Sequence, residues 1–299
     1  MPTHESDNQS MNISSAAITL TDGRFRAVIR PDLGGSIQSL TLDGVHVLRA
    51  PPAVIHTVRD LGSFPLVPFS NRVAKAQLHW QGTDHPLIIM GTTEEHAMHG
   101  VVWQRPWEVL EASDGFAMLS HEHKADSAWP FAFDVSQVFK LDGNTLLMTL
   151  SLTNQAPNPA PVGLGWHPYF VKRAGAHLSF DATSRWEMGA DKLPTVLQPT
   201  PRMASSCADL DIDNSFEGWK GIAELRDELL CIRIESNLPR LVVYTKPSID
   251  CIAIEPVSHA INAVNLAGAN AGELERLGVR VLASGETFSA QMSINMETI

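Results

Sequence analysis

Cysteine is scarce in this chain: Cys207, Cys231 and Cys251 are the only three in 299 residues, and no two of them stand at a CxxC spacing. An odd count without paired spacing excludes a disulfide framework and the usual zinc-binding patterns, and leaves each thiol as a small reduced residue. Long apolar runs are missing as well. No window approaches the roughly 18 consecutive apolar residues of a membrane-crossing helix. The leading stretch MPTHESDNQSMNISS has neither a basic segment nor an apolar one, so it does not read as a secretory signal. Reduced thiols without a signal predict a cytoplasmic location. Residues 1–15 are expected to form a mobile arm, with a single domain over residues 16–299. Basic side chains are in deficit, 22 Lys and Arg against 33 Asp and Glu, for a net charge of −11. Such a surface repels phosphate backbones and anionic lipids, so neither nucleic acid nor membrane is an expected partner.

Common catalytic signatures are also absent. The chain has no GxSxG elbow, no GxxxxGK[ST] loop and no GxGxxG after a strand, which removes the hydrolase, NTPase and dinucleotide-binding readings. What the chain does have is a strand periodicity almost throughout. Turn signals recur at Asp22-Gly23, Pro31–Gly35, Asp43-Gly44, Gln81-Gly82, Asp114-Gly115 and Asp142-Gly143-Asn144. Alternating segments such as Thr145–Leu152 and Leu241–Tyr244 lie between such breaks. Helical candidates are few and short, with Ala223–Leu229 and Gly272–Leu277 the best. Gln155–Pro161 holds three prolines and reads as a crossing between sheets. Many short strands with regular turns predict a large antiparallel β-sandwich, an all-β fold with few helices.

Twelve histidines need sorting. His121-Glu122-His123 resembles the opening of a cupin metal motif, but Ser127 and Ala128 stand where the third ligand is needed, and a solvated strand face accounts for the pair. His96-Ala97-Met98-His99 has a pair at i, i+3, with glycines nearby that argue against a helix and no third zinc ligand at a recognisable spacing. Arg72 follows an apolar loop with two prolines, Pro65–Ser70, and needs a fixed acceptor, either an internal carboxylate or a ligand oxygen. In Trp166-His167-Pro168-Tyr169-Phe170 an imidazole flanked by aromatics could serve as a general acid or as a buried structural histidine. Cys251-Ile252-Ala253-Ile254-Glu255 carries a carboxylate at the end of an apolar strand. Burial would raise its pKa toward that of a useful base, unless it belongs to a structural ion pair.

Taken in order, these segments resemble the aldose 1-epimerase (galactose mutarotase) family. The matching stretches are NRVAKAQLHWQG at Asn71–Gly82, HAMHG at His96–Gly100, GWHPYF at Gly165–Phe170, DIDNSFEGW at Asp211–Trp219, IAIEPVSHAINAVN at Ile252–Asn265 and SGETFSAQMSI at Ser284–Ile294. The resemblance implies a β-sandwich with a sugar cleft on one face and acid/base chemistry without cofactor or metal. It assigns Glu255 as the base at the anomeric hydroxyl and His167 as the acid at the ring oxygen. Asn71, Arg72, His99 and Asp213 would bind the sugar, with Asp211 competing for the last role. Trp103, Trp107, Trp166 and Tyr169 are candidate platforms for the ring. One departure is Val101, where galactose enzymes of the family often carry a second glycine. The implied partner is a small sugar, with the chain a monomer or weak homodimer. The alternatives are a hexose-6-phosphate mutarotase and a sugar-binding protein without turnover. Arg72, His99, His167, Asp213 and Glu255, scattered over nearly two hundred positions, should converge on one cleft.

Overall fold

The computed structural model describes residues 17–90 and 94–299, so the arm expected at residues 1–15 lies outside the described residues. The turn signals close hairpins where expected. At Asp43-Gly44 and Gln81-Gly82 both central residues take positive φ, 51° and 78° in one and 49° and 78° in the other. That mirror-image turn matches the right-handed twist of the strands it joins. Among the described residues the strands pair antiparallel, with one isolated parallel bridge, Val67 to Gly100, outside them.

Two large sheets dominate. The nine-stranded sheet runs from Glu108–Ser113 through Phe116–His123, Phe133–Asp142, Thr145–Asn154, Thr287–Thr298, Leu230–Ser236, Ile222–Arg226 and His177–Phe180 to Met203–Ser206. Its inner face follows from period-two alternation: Leu146, Met148, Leu150 and Leu152 are buried, and so are Phe133, Val135, Phe139 and Leu141 on the neighbouring strand. The eight-stranded sheet centres on Arg240–Thr245 and Cys251–Val257, with Ile212–Glu217 outside the first and Gly165–Trp166 and Tyr169–Val171 against the second. The Gln155–Pro161 segment does cross between sheets, from the end of Thr145–Asn154 to the short strand Ala160–Val162 that precedes Gly165–Trp166. A four-stranded sheet at Ile18–His46 and three two-stranded ribbons complete the described strands.

The Cys251–Val257 strand is buried along its whole length because both its faces are covered. Ile252 and Ile254 join the main core, whereas Cys251 and Ala253 pack with Phe64, Trp103 and Tyr169 in a second cluster. Glu255 points to the same side as Cys251 and Ala253, as strand alternation requires. A titratable group therefore stands on the face where the second cluster opens.

Two α-helices occur among the described residues, Ala263–Ala267 and Ala271–Arg276, and neither is long and apolar enough to cross a membrane. The second is the one expected at Gly272–Leu277; the Asn270 side chain caps it by accepting the Glu273 N–H. The helix expected at Ala223–Leu229 is a strand, Ile222–Arg226, followed by a turn. Ala223 and Leu225 are buried on one side while Ile222 and Arg226 face out, and pairing on both edges overrides the helical propensity of AELR. Asp227 accepts the Leu229 and Leu230 N–H groups and closes the turn. His121 and His123 do share a strand face, but not a solvated one. His123 is fully buried, bonded through Nε2 to the Trp129 carbonyl (2.9 Å) and through Nδ1 to Arg105 (3.0 Å). The strand's inner face has to be filled, and here an imidazole fills it. Among the described residues no cluster of His, Cys, Asp or Glu is arranged to hold a metal ion.

Candidate active site

A cavity of about 360 Å3 opens beside the second cluster, within the range of roughly 300–1,000 Å3 typical of small-molecule sites. Asn71, Arg72, His99, His167, Asp213 and Glu255 all line it. The fold thus brings together these six polar residues, all named from the sequence. Asp211, the competitor of Asp213, is exposed and does not line the cavity.

Glu255 and His167 are in contact, with Oε1 of the carboxyl 3.2 Å from Nε2 of the imidazole. Only 2% of the Glu255 side chain and 8% of the His167 side chain remain exposed. The contact arises because His167 lies between two short strands held against neighbours: its N–H donates to the Phe64 carbonyl at 2.9 Å, and Tyr169 pairs with Ala253 on the Glu255 strand. Burial pushes the Glu255 carboxyl well above its usual range, and the nearby Asp213 pushes it further. Burial lowers His167 to about 3, with the Arg59 guanidinium adding to the effect. Each group resists carrying its charge alone, so the pair is most stable holding one proton between them. Oε2 of Glu255 and Nδ1 of His167 are buried without a hydrogen-bond partner among the described residues. Unpaired buried polar atoms are costly, and a cavity wall that presents two of them is prepared for a polar ligand.

A second group frames the other wall. The Arg72 guanidinium holds Glu94 through two bonds, Nε to Oε2 (2.7 Å) and Nη2 to Oε1 (2.9 Å), and donates through Nη1 to the Asn71 side chain (3.0 Å). Lys192 also reaches Glu94, at 3.2 Å, and these cations hold the Glu94 carboxyl at about 2. Arg72 therefore has its internal carboxylate and faces the cavity as well. Asn71 and His99 clamp each other: the Asn71 N–H donates to His99 Nδ1 (3.3 Å), and the His99 N–H donates to the Asn71 carbonyl (2.8 Å). With Nδ1 accepting, the ring proton of His99 is on Nε2 as a donor. Burial, with the neighbouring cationic groups, lowers its pKa well below the usual value, so it stays a neutral N–H donor. Asn71 and His99 both adopt left-handed backbone, φ 56° and 61°, a strain seen mainly where surrounding structure imposes it.

The loop that carries Asn71 is fixed from below. Ser70 donates its N–H to His259 Nε2 (3.1 Å), and His259 Nδ1 donates to the Ala260 carbonyl (2.7 Å). Gly100 follows His99 with φ 71°, and a Cβ there would stand 1.9 Å from the Val67 carbonyl oxygen, so only glycine fits. His96, by contrast, is a buried structural residue. Its Nδ1 accepts the Lys75 N–H (2.9 Å), and its Nε2 bonds the Asp191 carbonyl (3.0 Å). Of the four aromatic candidates only Tyr169 lines the cavity. Trp103, Trp107 and Trp166 are core residues, the last bonded through Nε1 to Gln137 (3.1 Å).

Several lining residues escaped the sequence reading: Arg49, Arg59, Glu94, Lys192 and Tyr244. Arg49 lies over the Tyr169 ring with its Cζ 4.1 Å from the centroid, and donates through Nη2 to the carbonyls of Arg59 and Leu61. None of these positions carries a motif. A cation beside a β-strand or in a polar loop is common, and only the fold shows which ones face a cavity.

Comparisons with known proteins bear on the family and the fold. The sequence model of the aldose 1-epimerase family matches residues 16–295. The uncharacterized protein YphB of Escherichia coli K12 is 30% identical over 301 residues, spanning 93% of this chain and 98% of that one. A crystal structure from Escherichia coli K12, of a protein classed provisionally as an aldose 1-epimerase, superposes with a TM-score of 0.85 at 27% identity, covering 95% of this chain and 99% of the other. A galactose mutarotase-like protein from Clostridium acetobutylicum shares the fold, with a TM-score of 0.83 at 19% identity over 95% of each chain.

Proposed function

Since the chain belongs to the aldose 1-epimerase family, we propose that it interconverts the α and β anomers of an aldose, opening and reclosing the sugar ring by acid/base catalysis. The observation that carries this reading is the buried contact between Glu255 and His167 on the cavity wall. Mutarotation has to remove a proton from the anomeric hydroxyl and deliver one to the ring oxygen. Those two oxygens are bonded to the same carbon, so the base and the acid belong side by side rather than across the ring. A carboxyl and an imidazole 3.2 Å apart meet that requirement.

In the proposed step the sugar enters between the two groups and replaces their mutual contact. The Glu255 carboxylate takes the proton of the anomeric hydroxyl, and the O–H electron pair becomes the second bond of the C1 carbonyl. The C1–O5 bond breaks toward O5, which receives the proton from the His167 imidazolium. Rotation about C1–C2 exposes the other carbonyl face, and the reverse transfers close the ring with C1 inverted. The single proton of the empty pair is the one required: it passes from the Glu255 carboxyl to Nε2 of His167 as the sugar enters, which leaves the carboxylate as base and the imidazolium as acid. Each group is expected to supply roughly 10²–10⁴ in rate. The neutral Nε2–H of His99, the Arg72 guanidinium and the Asp213 carboxylate supply donors and an acceptor for the sugar's oxygens. No step transfers a hydride or an acyl or phosphoryl group.

The test is polarimetry on freshly dissolved α anomers with wild-type protein and His167→Asn. The wild type should speed the approach to anomeric equilibrium over buffer, and His167→Asn should reduce that acceleration by at least about 100-fold. A His167→Asn variant as active as wild type would refute the assignment. Strong sugar binding without acceleration would favour a binding protein instead.

A further inference from the structure

Among the described residues Arg59 makes no ion pair, although its charge is felt at Glu255. Its guanidinium lines the cavity, yet Nε and Nη2 are buried and have no hydrogen-bond partner among the described residues. These two nitrogens form one edge of the guanidinium, the same edge that Arg72 uses to hold both oxygens of Glu94. That edge fits an anion with two oxygens side by side, and leaving it empty is costly. Arg49 lies next to it, and its Nε is likewise buried without a hydrogen-bond partner among the described residues. The cavity is cationic although the chain as a whole is acidic. Arg49, Arg59, Arg72 and Lys192 face it, against the carboxylates of Glu94 and Asp213 and a Glu255 that touches His167 and is pushed toward its neutral form by burial. Glu94 is already engaged by Arg72 and Lys192, which leaves Arg49 and Arg59 as the excess.

Their position relative to His167 says which part of a sugar they would meet. Arg49 stacks on the Tyr169 ring, whose centroid is 4.4 Å from that of His167. Arg59 lies over Trp103, which stacks on Phe64, which stacks in turn on His167. Both cations therefore stand close to His167, with Arg59 also within electrostatic reach of Glu255 and His99. If His167 serves the ring oxygen, the neighbouring ring carbon is C5, and the substituent on C5 is C6. We propose that Arg59, assisted by Arg49, seats an anionic group on C6, so that the substrate is an aldose with a carboxylate or phosphate there rather than a neutral hexose. This rests on the mutarotase reading and narrows it to a substrate class. Seating the anion requires the Arg59 guanidinium to turn its unpaired edge into the cavity it already lines.

The experiment has two readouts on wild type, Arg59→Gln and Arg59→Lys. The first is kcat/KM for anomer exchange, by NMR magnetisation transfer, on glucose, galactose, glucuronate, galacturonate and glucose 6-phosphate. The second is calorimetric titration with the same sugars. A charge-assisted pair predicts a preference of roughly 10- to 100-fold for the anionic member of each pair. The uronates and the phosphate ester separate the two sources of the anion. Arg59→Gln should reduce the ratio of anionic to neutral kcat/KM to near one. Arg59→Lys, which keeps the charge but loses the fork, should reduce it several-fold. Equal or better turnover of neutral hexoses by wild type would overturn the proposal, and so would an Arg59→Gln variant that slows both classes alike. If no sugar is turned over, the mutarotase reading fails, and the titration still decides on the anion site: tighter binding of anionic sugars that Arg59→Gln abolishes supports it, and equal binding refutes it.

Discussion

Replacing Glu255 by Gln separates catalysis from stability. The substitution keeps the size and hydrogen-bonding capacity of the side chain but removes its proton affinity. In the folded protein Glu255 is almost wholly buried, its Oε1 touches His167 and its Oε2 has no partner among the described residues. Burial holds the carboxyl well above its ordinary value of 4.5 and depresses His167 to about 3, so the pair is better described as sharing a proton than as a buried ion pair. A neutral amide can then donate to the neutral His167 Nε2 in place of the carboxylic proton. Stability should hold or rise, because an ionisable group no longer has to be kept from water. A carboxyl with a raised folded pKa stabilises most below its ordinary value of 4.5 and loses that contribution as pH rises through the folded pKa. The Gln variant should lack that loss on the alkaline side. Anomer exchange, by contrast, should fall by roughly 10²–10⁴, about 3–5 kcal/mol of barrier. The assay pairs polarimetric exchange rates with calorimetric melting from pH 5 to 9. Undiminished exchange in a folded variant would refute the catalytic role. A stability loss of about 3–5 kcal/mol would show that the residue is half of a charged structural pair instead.

Two further predictions concern the scaffold. His259 is buried and bonded through both nitrogens, and its pKa is lowered from 6.5 to about 4 by burial. A depressed pKa makes its stabilisation fully present above about 6.5 and lost as pH falls toward 4, worth about 3 kcal/mol. His99, His121, His123 and His167 are depressed too, so melting temperature should decline from pH 6.5 downward; a flat profile to pH 4.5 would contradict this. At Gly163 an added Cβ would lie 1.8 Å from the His259 ring, which cannot retreat without releasing Ser70 and the Asn71 loop. Gly163→Ala should cost about 1–3 kcal/mol and lower exchange activity, while Gly115→Ala, whose Cβ would meet nothing closer than 3.9 Å, should change stability by less than about 0.5 kcal/mol, both read by chemical denaturation.

The fold was legible because strand alternation and turn chemistry are local. Asp43-Gly44 and Gln81-Gly82 specify their turns through two residues each, and the inner face of Thr145–Asn154 can be read from every second side chain. Ala223–Leu229 misled because propensity is local too, whereas its strand identity depends on partners at His177–Phe180 and Leu230–Ser236. Glu255 and His167 stood out because GWHPYF and IEP carry titratable side chains in apolar surroundings, while the roles proposed for them came from the family resemblance. Arg49, Arg59 and Glu94 did not stand out. Glu94 meets Arg72 across 22 positions, and Arg59 faces the cavity from a short turn of ordinary composition. The tryptophans show the converse error: Trp166 stands next to His167, yet strand geometry turns it to the opposite side, into the core with Gln137.

Anomer exchange in oxygen-18 water tests the central claim most directly, with the 13C signal of C1 reporting both the anomer and, by isotope shift, the oxygen attached to it. Ring opening by proton transfer between Glu255 and His167 predicts exchange well above the buffer rate, with the label entering C1 no faster than the slow hydration of free aldehyde in buffer. Exchange no faster than buffer for every sugar tested, or label entering with each turnover, would contradict it.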